Sequence, residues 1–177
     1  HQHYMGRRYE CFSRVASQNP YAWSRKTYSA EELTTATRQN RYVVYPYTIR
    51  TMANINVDQS AALIMINDRD ADALGIDRSK WVYPMGGEEL DNIWHVSQRP
   101  RLYDSPAIAE AARLALKQSG LSLSDIGIFD LYSCFPSAVD ISRQAIGIPE
   151  DDPRDLTVTG GLACFGGPGN NYTMHAI

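Results

Sequence analysis

Apolar residues recur at helical spacing in several stretches of the chain, and flanking residues mark where the helices begin and end. The first stretch runs from Tyr4 to Ser17. Ser29 and Glu32 can form a capping box, which predicts a short second helix ending near Thr37. Three further helices are predicted from their end signals. Asn67 begins one that Gly75 ends, and Ser105–Pro106 begins one that Gly120 ends. Gly147 ends the helix predicted in the stretch 132–146.

Shorter apolar stretches alternate with these helices and are typical of strands covered on both faces. They are AALIMIN (61–67), KWVYPM (80–85), IGIFDL (126–131) and LTVTG (156–160). The segment 38–52 is rich in tyrosine and β-branched residues, but Pro46 interrupts a ladder, so we predict an extended, irregular segment there. The alternation predicts an α/β layered fold, a mixed sheet with helices on both faces. The helix after Ser105 is expected to bury Ile108, Ala112, Ala115 and Leu116.

Composition narrows the class of protein. The 177 residues are 44% hydrophobic and 21% charged, which is typical of one globular domain. With 17 basic and 20 acidic residues the net charge is −3, so nucleic acid is not the expected partner. The longest apolar run, 61–66, is too short to span a membrane, and the N-terminus carries no secretory signal, which together favour the cytoplasm.

The metal-ligating residue types do not form a recognisable site. Cys11, Cys134 and Cys164 are widely spaced and odd in number, which argues against both a disulfide framework and a cysteine zinc site. His1 and His3 are interpreted as a frayed or tag-derived terminus rather than as metal ligands. We therefore expect no bound metal.

The first candidate site is the turn DLYSCFPS, residues 130–137, called here the phenol–thiol turn. It follows a predicted strand, where ligands gather in α/β sheets, and it places Tyr132, Ser133 and Cys134 beside a helix N-terminus. The free N–H groups there would lower the pKa of a thiol. The alternative is that Tyr132 and Phe135 are packing residues and that Cys134 is a small buried apolar residue.

The second candidate is the sequence GGLACFGGPGNN, residues 160–171, called here the glycine bend. Such backbone can approach a ligand closely and direct N–H groups at an oxyanion or phosphate. It lacks the GK[ST] of a Walker loop and is not GxGxxG. Cys164 and His175 could act as nucleophile and base, although for Cys164 alone a packing role is favoured, because free cysteines are commonly buried. The expected ligand-binding residues are Gly160, Gly161, Gly166, Gly167, Gly169 and Asn170.

At these two junctions the chain resembles the thiolase superfamily, near the sterol-carrier-protein thiolases. LYSCFPSAVDISRQAIGI (131–148) lies where thiolases carry N-E-A-F or H-D-C-F, and the glycine bend lies where they carry G-H-P-x-G-A. NVDQSAALIM (56–65) resembles their S-D-G-A-A. The resemblance implies a partial αβαβα fold, with 1–53 as a helical and loop-rich region similar to the thiolase loop domain and 54–177 as the α/β core, truncated at both ends.

The resemblance also implies where catalytic groups are altered. The histidine of the G-H-P motif falls on Gly167, so the usual base is missing, and the oxyanion-hole Asn or His falls on Tyr132, whose phenol can still donate a hydrogen bond. We therefore take Tyr132, Cys134 and His175 as candidate catalytic residues. Both nucleophilic cysteines of a thiolase would lie outside residues 1–177, so the isolated chain is expected to be inactive.

The implied function is that of an acetyl-CoA acetyltransferase-like enzyme of lipid or acyl-CoA metabolism, with a coenzyme A thioester as substrate and no covalent cofactor. Two alternatives stay open. One is a retro-aldol lyase acting on a CoA thioester, of the steroid side-chain type, whose relatives lack the usual histidines and pair with an OB-fold subunit. The other is a non-catalytic module that binds acyl-CoA or lipid. Acyl-CoA is the expected small-molecule partner, and a homodimer or an OB-fold partner subunit is compatible with the resemblance.

Overall fold

The computed structural model describes residues 2–177, so His1 of the His1–His3 pair lies outside the described residues. Seven α-helices form the frame of these residues. They are α1 (Gln2–Gln18), α2 (Ala30–Thr34), α3 (Asp68–Ala73), α4 (Pro106–Ser119), α5 (Pro136–Ile146), α6 (Gly161–Cys164) and α7 (Tyr172–Ala176). Short 3₁₀ turns lie at Ile49–Thr51, Arg78–Lys80, Val96–Gln98, Leu123–Asp125 and Gly169–Asn171.

The helix boundaries follow the capping signals in the sequence. Ser29 and Glu32 form the complete capping box of α2, although this helix ends at Thr34 rather than near Thr37. Ser105 accepts from the Ile108 N–H at the start of α4, whose end lies at Gly120 with φ 72°. The same left-handed glycine stop closes α5 at Gly147. The predicted apolar face of α4 is only half-buried: Ile108, Ala112, Ala115 and Leu116.

The paired strands lie where we predicted irregular backbone. β1 (Tyr42–Val44) and β2 (Tyr47–Thr48) form an antiparallel hairpin, with Tyr42 opposite Thr48 and Val44 opposite Tyr47. The turn between them contains a cis Tyr45–Pro46 peptide bond. Pro46 therefore lies at the tip of the hairpin, where its missing N–H is not needed by the ladder.

None of the four segments predicted as strands forms a paired strand within residues 2–177, so these strand predictions are wrong at the level of the individual elements. Between 126–131 and 156–160 a single backbone bond forms, from the Leu131 N–H to the Leu156 carbonyl at 2.9 Å. The Val158 N–H, two residues further along, donates to the Asp130 carboxylate instead of to a backbone carbonyl. At 61–67, the Asn171 side-chain amide takes the place of a strand partner by bonding both the N–H and the carbonyl of Ala61.

The core is built by residues from both ends of the chain. Tyr9 and Phe12 of α1 stack at 5.1 Å and pack in one cluster with Leu33 of α2 and with residues beyond position 128. That second group is Phe129, Leu131, Val139, Ile148 and Leu156. A neighbouring cluster joins Ala16 and Ala22 to Leu162, Cys164, Phe165 and Tyr172. The predicted regions 1–53 and 54–177 thus share their apolar cores.

The exposed part of the chain runs between these clusters. From 61 to 103 most apolar side chains face solvent, with Met65 at 92% and Trp94 at 79% exposure. None of the helices within residues 2–177 combines the length and the apolar character that crossing a membrane requires.

Candidate functional site

The phenol–thiol turn and the glycine bend meet in the fold. The Leu162 N–H donates to the Ser133 hydroxyl at 2.9 Å, and both residues are buried. The segment 53–54 then links the two: the Ala53 N–H donates to the Cys134 carbonyl at 3.1 Å, and the Asn54 N–H donates to the Leu162 carbonyl at 2.9 Å. The two junctions singled out in the sequence therefore form one site.

Gly160 and Gly161 make this meeting possible because their backbone is left-handed and tightly enclosed. Their φ angles are 109° and 72°. A Cβ on Gly160 would lie 2.6 Å from the Ala16 Cα, and one on Gly161 would lie 2.9 Å from the Ser133 Oγ. Only glycine combines these angles with so close an approach to α1.

The first amides of the glycine bend already have acceptors inside the protein. The Gly160 N–H donates to the Thr157 hydroxyl and the Gly161 N–H to the Thr159 hydroxyl, each at 3.1 Å. An amide used in this way is not directed at a ligand. Binding through Gly160 and Gly161 thus stays a prediction that would require these bonds to rearrange.

The second half of the bend, residues 166–170, runs from buried glycines to the protein surface. The Gly167 N–H donates to the Asn54 carbonyl at 2.8 Å, so this amide too is satisfied within the chain. Gly166 has φ 129°, and a Cβ there would collide with the Gln59 side chain. Gly169, with φ 62°, and Asn170 are exposed to solvent. These last two residues are the part of the predicted binding set that a ligand can reach without rearrangement.

Tyr132 and Cys134 form the reactive face of the phenol–thiol turn. Tyr132 is 62% exposed, and the Cys134 thiol is close enough to affect its titration. Partial desolvation, followed by the neighbouring thiol, raises the pKa of Tyr132 above its ordinary value, so the phenol keeps its proton at neutral pH. Cys134 is half-buried and packs against the cluster around Leu162. A protonated phenol that reaches solvent is a hydrogen-bond donor available to a ligand.

Cys164 and His175 are placed less favourably for nucleophilic chemistry. Cys164 is buried, and desolvation raises the pKa of its thiol to about 12, which leaves almost no thiolate at neutral pH. The His175 ring lies edge-on to Phe165 with 5.0 Å between ring centroids. Its Nε2 is buried without a hydrogen-bond partner. His175 therefore lies against the aromatic core of the bend, and its role as a base stays a prediction.

A cavity of about 420 Å³ lies beside the site. It borders the glycine bend at Ala163 and Cys164 and the linking segment at Ala53 and Asn54. Its far side is formed by the hairpin and the 3₁₀ turn that follows: Arg41, Val43, Ile49, Arg50 and Met52. No carboxylate belongs to its described lining.

The two arginines give this cavity a positive charge. Neither Arg41 nor Arg50 forms an ion pair with a carboxylate within the part of the chain that the structure describes. The Arg50 guanidinium lies over the Tyr28 ring at 4.8 Å. The Asn40 side chain is fully buried, donates to three carbonyls at the end of α2 and accepts from the backbone N–H of Arg50, so it holds the backbone of Arg50 against α2. Arg50 interacts electrostatically with Glu32 without forming an ion pair with it. In a chain of net charge −3, two arginines on one cavity that lacks a carboxylate in its lining are suited to an anion.

Sequence reasoning missed these groups. Asn54 and the two arginines carry no motif, since their proximity to the glycine bend is created by the path of the chain. Ser133 belongs to the phenol–thiol turn, but its bond to the Leu162 N–H was not predicted. The signal that could have found it is the hydroxyl one residue from both Tyr132 and Cys134.

Comparison with known proteins places the fold and the sequence in one class. No protein-family model matches the chain. It is 27% identical over 161 residues to the benzoylsuccinyl-CoA thiolase subunit BbsB of Thauera aromatica, an alignment that covers 88% of this chain and 40% of that protein. A 3-ketoacyl-CoA thiolase of Escherichia coli O139:H28 (strain E24377A / ETEC) is 28% identical over 116 residues, which are 63% of this chain and 26% of the relative.

Solved structures agree with these relatives. A monomeric SCP2-thiolase like protein type 1 (STLP1) from Mycobacterium smegmatis superimposes with a TM-score of 0.83 and 37% identity, covering 99% of this chain and 38% of that one. The Ltp2-ChsH2(DUF35) aldolase shares the fold, with a TM-score of 0.71 and 19% identity over 99% of this chain and 48% of its own.

Relatives and fold together define a thiolase-like α/β chain, which confirms the predicted fold class. With 37% identity over nearly its whole length, the chain is similar in sequence as well as in fold to an SCP2-thiolase-like protein. The chain spans about 40% of the length of the thiolase subunit it matches and 38% of the mycobacterial protein.

Proposed function

We propose that the protein handles acyl-CoA thioesters as a thiolase-like acyltransferase with non-standard catalytic residues. The observation that carries the proposal is the joining of the phenol–thiol turn and the glycine bend beside a cavity that holds Arg41 and Arg50 without a carboxylate. Phosphates of coenzyme A are anions that arginine binds well. The cavity is thus suited to the phosphorylated part of the ligand, with its thioester directed towards Tyr132.

Tyr132 is the residue proposed to act on the thioester. Its protonated phenol can donate a hydrogen bond to the thioester carbonyl oxygen, and the bond strengthens as negative charge develops there. The thiol of Cys134 is the neighbouring group that, after desolvation, raises the pKa of this phenol. The exposed Gly169 and Asn170 lie on the proposed approach of the acyl group.

The base of an ordinary thiolase reaction has no equivalent at Gly167. Its amide is bound to Asn54, and no side chain exists to remove a proton. Both nucleophilic cysteines of a thiolase are expected to lie outside residues 1–177. We therefore expect residues 1–177 alone to bind and polarise a thioester without completing acyl transfer. His175 could supply a base only if its ring left the contact with Phe165.

Calorimetry with acetyl-CoA and with S-acetyl-N-acetylcysteamine tests the proposal, because the second thioester lacks the phosphates. We expect the wild-type protein to bind acetyl-CoA at least about tenfold more tightly, equivalent to about 1.4 kcal/mol. Replacing both Arg41 and Arg50 by alanine should remove this preference. Arg113→Ala is the matched control, since Arg113 is exposed on α4 and pairs with Glu110. Equal affinity for both thioesters, or an unchanged preference in the double variant, would contradict the proposal.

A retro-aldol lyase acting on a CoA thioester is the second candidate. The observations that favour it are the phenol at position 132, the glycine at position 167 and the shared fold with the Ltp2-ChsH2(DUF35) aldolase. Cleavage of a 3-hydroxyacyl-CoA, followed by chromatography of the CoA products, distinguishes it from acyl exchange. Tyr132→Phe should abolish that cleavage, and full activity of this variant would exclude the lyase.

Two further measurements address the non-catalytic alternative and the oligomeric state of the protein. Binding of acetyl-CoA with neither exchange nor cleavage would support the non-catalytic module. Light scattering distinguishes a monomer from a homodimer, and co-expression with an OB-fold subunit tests the heteromeric arrangement proposed with the lyase.

A further inference from the structure

One carboxylate oxygen holds the backbone that leads into the glycine bend. Asp130 Oδ2 accepts hydrogen bonds from the Thr157 hydroxyl at 3.0 Å and from the Val158 N–H at 2.9 Å. The N–H and the hydroxyl of Thr159 each lie 3.4 Å from the same oxygen. Three consecutive residues thus converge on a single atom, in the position where a neighbouring strand would otherwise supply carbonyls.

The two threonines extend this arrangement into the bend itself. Thr157 and Thr159 are almost completely buried, and each hydroxyl has one proton to donate and lone pairs to accept with. When Thr157 donates its proton to Asp130, its lone pairs are directed at the Gly160 N–H, 3.1 Å away. Thr159 accepts from the Gly161 N–H in the same way. The charge on Asp130 therefore orients acceptors for the first two glycine amides.

The far end of the bend is attached to the same group. The hydroxyls of Thr159 and Tyr172 lie 2.6 Å apart, and both residues are buried. Tyr172 begins α7 directly after the glycine bend, two residues beyond the exposed Asn170. The start and the end of the glycine bend are thus connected to Asp130 through one threonine.

We propose that Asp130 is a positioning residue that sets the geometry of the whole binding surface, an inference that rests on the function proposed above. Asp130 is the first residue of the phenol–thiol turn. It bonds Thr157 and Val158 directly before the bend and is connected through Thr159 to Tyr172 directly after it, so it holds the turn and both ends of the bend together. The amides from Val158 to Leu162 are all occupied by side-chain acceptors. Contacts to a thioester therefore come from Tyr132, the end of the bend and the cavity, whose relative placement depends on this carboxylate.

Two measurements on Asp130 variants test this role. In Asp130→Ala, hydrogen–deuterium exchange of residues 158–161 should speed up, and the Kd for acetyl-CoA should rise about tenfold or more. Asp130→Asn keeps a neutral acceptor oxygen and should restore most of both properties. This rescue distinguishes positioning from a general requirement for folding, and it applies equally if the alanine variant fails to fold.

Asp140→Ala is the matched control. Asp140 also accepts several bonds, from Tyr4 and Arg143, but it lies on α5 away from the bend. It should lower stability while leaving acetyl-CoA affinity and exchange at 158–161 unchanged. The proposal is overturned if Asp130→Ala leaves that exchange unchanged, or if Asp140→Ala weakens binding as much. If the wild-type protein does not bind acetyl-CoA, the proposed function fails, and the exchange result alone upholds or overturns the positioning role.

Discussion

The hydroxyl of Ser133 accepts a hydrogen bond from the N–H of Leu162 at 2.9 Å, across 29 positions of sequence. Ser133 comes from the phenol–thiol turn and Leu162 from the glycine bend. The Ser133 carbonyl in turn accepts from the Tyr9 phenol at 3.1 Å, so α1 joins the same contact. This one serine therefore connects three separate segments at the candidate site.

Ser133→Ala should lower the free energy of unfolding by about 1–3 kcal/mol, because the Leu162 N–H would remain buried without an acceptor. Urea denaturation followed by circular dichroism measures the change. Ser17→Ala serves as control, since Ser17 only bonds the Arg14 carbonyl one turn back in α1. A loss at position 133 no larger than at position 17 would show that the contact is not important for stability.

Gly160→Ala should destabilise the protein by about 3 kcal/mol or more, through both its left-handed backbone and a collision with α1. Gly120→Ala separates the two contributions, because Gly120 has φ 72° but open space around its Cβ position. The control should lose only about 1 kcal/mol. Equal losses in thermal or urea unfolding would mean that the close approach of Gly160 to Ala16 is not maintained in solution.

Alkylation should distinguish the three thiols. With its pKa raised to about 12, Cys164 should react with iodoacetamide at pH 8 about a thousandfold more slowly than an ordinary cysteine. Cys11 and Cys134 are half-buried and should be modified first. Mass spectrometry of peptides from the native protein gives the order, and a urea-unfolded sample provides the control in which all three react. Early modification of Cys164 would contradict its buried position.

Asp152 should make stability dependent on pH in the acid range. Hydrogen bonds from the Arg154 guanidinium, and then from its N–H, lower the pKa of Asp152 to about 2 in the folded protein. Because the folded pKa lies below the unfolded value of about 4, the stabilisation is complete above pH 4 and is lost as the pH falls towards 2. Asp152→Asn should therefore be less stable than wild type at pH 6, and the two should converge near pH 2. Parallel curves over this range would exclude the interaction with Arg154 as the cause.

Local signals predicted the helices well and the strands poorly. The capping box at Ser29 and the glycine stops at Gly120 and Gly147 act within one turn of the residues they affect, so they can be recognised in the sequence. A strand requires a partner at a distance. Between 126–131 and 156–160 the Asp130 carboxylate takes bonds that a ladder would use, and no periodicity reveals such a competition.

The sequence by itself determined the caps and glycine stops of the helices, the two junctions that carry the candidate chemistry and the thiolase-like class, because each depends on neighbouring residues or on a motif. Only the tertiary structure decided that Ser133, Asn54 and Asp130 join those junctions, that Cys164 is too buried to ionise, and that Arg41 and Arg50 face a common cavity. The physical reason is that hydrogen bonding, desolvation and charge act between atoms close in space, whatever their separation along the chain.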